Sequence, residues 1–234
     1  GEWSAVLDSN IDAAGWGTVG WDALEVGGSV KMEARTAQTP DGLQYSKFVP
    51  VENGRSFVAP DGRFLELRVS LESSGNASPV LYGLQVEGRN LAPRLTGAVP
   101  TQSRLLKIDH TMEQVGIAGV VDPEGDPFEI VITGVTQDEP VFGPDEDDRW
   151  PDATGIGGSA VWLRGELDLG VTGAPGNGRV YTVSYKAVDC LGASASGSVK
   201  VTVPISLLPE FAAVEDDCRY DSTAQKDEKL ACKY

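Results

Sequence analysis

Three carboxylates fall at alternate positions of one short turn: Asp122, Glu124 and Asp126 in "VVDPEGDPFEI". Oxygen donors spaced in this way can converge on a hard cation, because Ca²⁺ takes roughly six to eight oxygens from carboxylates and carbonyls. The same residues also spell an ordinary solvated turn, since Pro and Gly punctuate turns and Asp initiates them. Further acidic groups follow. "TQDEP" carries Asp138 and Glu139, "GPDEDDRWPDATG" carries Asp145, Glu146, Asp147, Asp148 and Asp152, and Asp189 lies in the turn signal "AVDCLGAS". Crowded into neighbouring loops without a counter-ion, these groups would destabilise the fold by mutual repulsion. The EF-hand spacing D-x-D-x-D-G is absent, so a calcium site would have to be assembled from separate loops.

Two tryptophans could do a different chemistry. An exposed indole stacks on a sugar ring, and Trp16 and Trp21 stand five residues apart in "WGTVGWDA". In a regular strand they face opposite ways, which makes one core and leaves the other for a ligand. A bulge would instead put both in the core.

Catalytic chemistry has little to build on. The single histidine, His110, excludes a three-His zinc site and H-E-x-x-H, and no serine lies in a G-x-S-x-G context. Acidic residues are too numerous for any carboxylate pair to mark a glycosidase. The expectation is a protein that is not an enzyme, with His110 structural. Cys190, Cys218 and Cys232 lack the C-x₂₋₄-C spacing of zinc sites. A bridge between Cys218 and Cys232 would close a short loop in a polar segment and imply an oxidising compartment; three free thiols are the alternative.

The chain has 35 Asp+Glu against 19 Lys+Arg, a formal net charge of -16 over 234 residues. So acidic a chain repels phosphate backbones and anionic membranes, and no nucleic-acid partner is expected. No apolar run reaches the ~20 residues of a membrane span. The sequence starts at Gly1, which reads as removal of a signal peptide or as a piece of a longer chain.

The elements that must position these groups are strands. In "RFLELRVSLES", Leu65, Leu67, Val69 and Leu71 alternate with polar residues; "SVKMEAR" does the same with Val30, Met32 and Ala34. "RVYTVSYKAVD" places Tyr181, Val183, Tyr185 and Ala187 on one face, and "GSVKVTVP" places Val199, Val201 and Val203. Between them lie "TPDG", "ENGR", "APDG", "SSGN" and "APGNG", all turn chemistry. Such a pattern predicts an all-β fold of two tandem β-sandwiches. Periodicity lapses around "GRNLAP", which sets domains at 1–92 and 93–204, followed by an acidic tail at 205–234.

Residues 1–88, through "WGTVGWDA", "SVKMEARTAQTPDGL", "GRFLELRVSLES" and "SPVLYGLQV", resemble a discoidin-like (jelly-roll) β-sandwich of large secreted bacterial proteins. Residues 93–204 resemble a bacterial Ig-like or cadherin-like repeat, through "HTMEQVGIAGVVDPEGDPFEIVITGVTQDEPV" and "GNGRVYTVSYKAVDCLGASASGSVKVTVP". The resemblance implies that DPxGD loops hold Ca²⁺ beside other acidic loops, and that the first domain can bind glycans. It departs from the repeat pattern at "GPDEDD", where related chains more often show "GDGD". Neither architecture fixes one activity.

The expected protein is an extracellular, non-catalytic structural or adhesive module, stiffened by Ca²⁺, in a bacterial cell-surface assembly or filament. Its partners would be further copies or neighbouring surface proteins. The alternative is a carbohydrate-binding appendage of a larger secreted enzyme.

Overall fold

A computed structural model describes residues 1–141, 149–167, 176–206, 208 and 212–225. The chain is all-β, 50% strand and 3% helical, and its sheets are antiparallel. It divides into two compact units, Gly1–Leu91 and Ala92–Tyr234.

The first unit contains β1 (Glu2–Asp8), β2 (Trp16–Leu24), β3 (Gly28–Ala37), β4 (Val49–Val51), β5 (Arg55–Ser56), β6 (Phe64–Ser73) and β7 (Val80–Gly88). They form one sheet in the order β1-β6-β3-β4 and another in the order β5-β2-β7. The period-2 pattern explains the burial. Leu65, Leu67 and Val69 of β6 and Met32 and Ala34 of β3 enter a single core with Val19 of β2. The intervening residues of β3 and β6 pair across the other face, Glu33 with Arg68 and Arg35 with Glu66. Phe48 lies between these pairs, with the guanidiniums of Arg35 and Arg68 at 4.4 and 4.0 Å from its ring centre. The "TPDG" turn closes into a short 3₁₀ turn at Pro40–Tyr45, capped by the Thr39 hydroxyl.

The second unit contains β8 (Val99–Pro100), β9 (Met112–Ala118), β10 (Phe128–Gln137), β11 (Ala153–Thr154), β12 (Ala160–Arg164), β13 (Arg179–Asp189), β14 (Ser194–Val203) and β15 (Tyr220–Asp221). Its sheets run β14-β13-β10-β15 and β11-β12-β9-β8. Tyr181, Val183 and Tyr185 of β13, Val201 and Val203 of β14, Val115 of β9 and Val161 and Leu163 of β12 share one core.

Residues 205–234 were expected to stand apart as a tail, but their described part is built into this unit. β15 pairs with the end of β10, Ser222 N–H donates to the Val135 carbonyl at 3.1 Å, and Ser222 and Ala224 are buried. The backbone of Gly157 and Gly158 caps Ile132 on β10 as well. β10 therefore has little open edge, which is how natural sheets avoid uncontrolled strand pairing.

Candidate functional site

Strand β10 divides the acidic residues into two groups. Asp126 precedes its first residue, Phe128, and Asp138 follows its last, Gln137; ten extended residues span roughly 30 Å. Asp122 and Asp126 therefore cannot share one cation with Asp138 and Glu139. Asp189 belongs to the first group, because it pairs with Phe128 across the sheet and Cys190 N–H donates to the Pro127 carbonyl at 2.9 Å.

At this end each turn is organised by one aspartate. Asp122 is buried, and its Oδ1 accepts the backbone N–H groups of Glu124 and Asp126, both at 3.0 Å. Asp189 is also buried, and its Oδ1 accepts from Leu191 and Ala193, both at 2.9 Å. These are Asx-type turns, in which the carboxylate mimics a backbone acceptor. Asp122 Oδ2 is buried and has no hydrogen-bond partner. Glu124 and Asp126 are half-buried beside it. Among the described residues, no three His, Cys, Asp or Glu side chains stand close enough together to hold a metal ion. Asp145 and Asp147 lie outside the described residues.

At the opposite end the acidic residues meet arginines. Arg179 is buried at the start of β13, with Nη1 2.7 Å from Asp152 Oδ2 and Nε 3.3 Å from Glu139 Oε2. Burial works against its charge, but Tyr181, Asp152 and Glu139 around it raise its pKa above the ordinary arginine value. Burial likewise pushes the Tyr181 hydroxyl well above its ordinary value, and that hydroxyl donates to the Arg164 carbonyl at 2.9 Å. Gln137 Nε2 donates to Asp152 Oδ2 at 2.7 Å. Arg164 donates to the carbonyls of His110 and Pro151 at 2.7 and 2.9 Å, and Glu166 lies 3.0 Å from His110 Nδ1. Gly165 makes this clasp possible: a Cβ there would sit 1.9 Å from the Lys107 carbonyl oxygen.

Asp138 is buried next to this network. Its Oδ1 accepts from Val180 N–H at 2.8 Å and its Oδ2 from Asp216 N–H at 3.1 Å, so it ties β13 to the C-terminal segment. Burial raises its pKa in spite of these bonds. The chemistry available here is charge neutralisation and loop fixation. Glu139, expected as a calcium ligand, is held by Arg179.

Trp16 and Trp21 are both half-buried and both pack against the core of the first unit. The pairing of β2 with β7 shifts between Trp16 and Thr18, and that bulge reverses the alternation so that two residues five apart reach one core. Trp16 Nε1–H donates to the Gly62 carbonyl at 2.7 Å. The backbone of Trp21 is clasped by the Asn53 amide, which accepts from Trp21 N–H and donates to Trp21 C=O, each at 2.8 Å.

Arg179 and Arg164 escape the sequence reading, although Arg179 sits at the same parity as Tyr181, Val183 and Tyr185 and so points inward with them. Trp162 escapes it too. It is 44% exposed on β12, whereas its neighbours Val161 and Leu163 are fully buried. Cys190 is a free, exposed thiol, and Cys232 lies outside the described residues. No described helix is long and apolar enough to cross a membrane. The chain matches no protein-family model and no curated protein.

Proposed function

We propose that this chain is a non-catalytic, extracellular structural or adhesive module: a discoidin-like sandwich followed by an Ig-like or cadherin-like one, in a bacterial cell-surface assembly. The observation that carries this reading is that long strands stand at the ends of sheets. In the second unit β14, of ten residues, ends its sheet and is met on its outer side at Thr202, by backbone bonds with Ser103 and Leu105 at 3.0 and 2.8 Å. In the first unit, β1 and β7, of seven and nine residues, each stand at the end of a sheet with one strand partner. Long edges offer backbone donors and acceptors to an added strand. Electron microscopy of the native protein tests the reading: ordered particles or filaments support it, and dispersed single molecules at high concentration oppose it.

The non-catalytic part is supported by His110, whose ring and peptide are engaged by Glu166 and Arg164. The charge of -16 supports the absence of nucleic-acid binding. A Cys218–Cys232 bridge belongs to the same extracellular reading; Cys190 is a free, exposed thiol, which leaves those two to pair.

Calcium belongs here too, at the Asp122–Asp189 end alone. Asp122 brings one buried, unpartnered oxygen, Oδ2, and since no three acidic side chains stand together there, Asp126 and Asp189 would have to move toward it to share a cation. Bound Ca²⁺ would supply charge neutralisation and stiffen the two turns. At a hundredfold excess over Kd, a ligand binding only the folded state adds about 2.7 kcal/mol. Asp122→Asn keeps the Oδ1 acceptor of the turn and removes the charge, so it should abolish that increment. Equal, small effects of Ca²⁺ and Mg²⁺, unchanged in Asp122→Asn, would mean a solvated turn.

The second reading, a carbohydrate-binding appendage, is favoured by one observation: an exposed tryptophan on a sheet face, Trp162.

A further inference from the structure

Two of the four-stranded sheets, β1-β6-β3-β4 and β11-β12-β9-β8, differ in the character of their outer faces. The outer face of the first is a charged ladder, with Glu33 and Arg35 on β3 matched by Arg68 and Glu66 on β6. On the second, alternation with the buried Val115, Val161, Leu163 and Ala153 turns a different set outward. Trp162 lies on an interior strand of that sheet, directly opposite Gln114 on β9 and Thr154 on β11. On one side the next outward pair is Ala160 and Gly116, followed along β9 by Ala118; on the other it is Arg164 and Met112, with the guanidinium engaged by the His110 and Pro151 carbonyls. None of the six residues from Trp162, Gln114 and Thr154 to Ala118 is charged, in a chain with a formal charge of -16. Its outward neighbours Thr154, Ala160 and Gly116 are short, and Trp162 is 44% exposed.

We propose that this face is a saccharide-binding surface, with Trp162 as the stacking platform and Gln114 and Thr154 as flanking hydrogen-bonding groups, for a neutral, flat, β-linked polysaccharide. A pyranose ring with equatorial hydroxyls presents an apolar C–H face to the indole and hydroxyls at its rim. Gln114 offers both a donor and an acceptor and Thr154 a hydroxyl, which suits hydroxyls of either role. The charge balance selects the occupant. Anionic glycans are repelled by the net field of the chain. A cationic partner finds no carboxylate among these six positions. A neutral sugar needs no ion-pair partner and leaves none desolvated. A half-exposed indole keeps apolar surface free to be buried against a ligand. The inference rests on the second functional reading and not on the assembly, which sedimentation measures separately.

The test is native affinity electrophoresis of the whole chain in gels containing β-1,4-glucan, β-1,4-mannan or β-1,4-xylan, with polygalacturonate as the anionic control. At least one neutral glycan should retard the protein, and polygalacturonate should not. Trp162→Ala should weaken binding by about tenfold or more, on the scale of one lost aromatic stack. Trp162→Tyr should retain most of it, and Gln114→Ala should weaken it by a smaller factor. Thermal melts establish that each variant is folded; if Trp162→Ala is not, the Trp162→Tyr and Gln114→Ala pair decides the question. No retardation by any neutral glycan would overturn the proposal, as would retardation unchanged in the folded variants. Loss of self-association in Trp162→Ala without any glycan binding would also overturn it, by assigning the face to a second copy.

Discussion

Arg179 and Asp152 form an ion pair at 2.7 Å in which the side chains are 1% and 0% exposed. Such a pair is weak support for stability when present but costly when broken, because the remaining charge is buried without its partner. Asp152 also accepts from Gln137, and Arg179 also donates to Glu139 and Tyr181, so the pair is the hub that locks the start of β13 to the end of β10 and the start of β11.

Asp152→Ala should therefore destabilise the second unit by about 3–5 kcal/mol. Arg179→Met with Asp152→Leu, which removes both charges and fills the volume, should cost less than the single change. Urea denaturation of the three proteins checks this, and a loss below about 1 kcal/mol in Asp152→Ala would show the network to be dispensable.

Asp138 yields a pH dependence. Burial raises its folded pKa above the ordinary 3.8, so the native state holds the proton more tightly than the unfolded chain. Its contribution is then fullest below the unfolded value and falls as pH rises through the folded one. The stability of wild type relative to Asp138→Asn should decline as pH rises from below 3.8 and level off once Asp138 is ionised in both states. Melting temperatures across that range measure it; a relative gain for wild type on raising pH would reverse the assignment.

The Asn53 amide stands in for a strand residue beside Trp21. Asn53→Asp keeps the acceptor but cannot donate to the Trp21 carbonyl. A cost of about 0.5–1.5 kcal/mol is expected, the usual net value of one hydrogen bond. Chemical denaturation of the first unit's signal should register it; no change would mean that water replaces the amide.

The thiols make a separate prediction. Native alkylation should label Cys190, which is exposed at the β13–β14 turn, and spare Cys218 and Cys232 until reduction. Peptide mapping without reductant should recover the latter two linked. Three labelled cysteines in native protein would remove the bridge and the extracellular compartment together.

What is legible in the sequence depends on the kind of signal. Alternation in "RFLELRVSLES" and "RVYTVSYKAVD" translates into buried Leu65, Leu67, Val69, Tyr181 and Tyr185, because a strand has only two faces. The acidic loops are less transparent. Spacing cannot reveal that β10 puts Asp122 and Glu139 at opposite ends, or that Glu139 and Asp152 close on arginines from β13 and β12. The bulge at Trp16–Thr18 is equally silent in sequence, and it alone decides where Trp16 points. One signal was present: an arginine at the inward parity of an apolar strand needs buried carboxylates, and Arg179 has them.

Sedimentation velocity over a wide concentration range, with and without Ca²⁺, decides whether the chain is an assembling structural module. Reversible or filamentous self-association is expected, and a Lys placed on the β7 edge by Gln85→Lys should suppress it, as edge lysines do in natural sheets. A single monomeric species at every concentration, in the presence of Ca²⁺ and unaltered by Gln85→Lys, would contradict it.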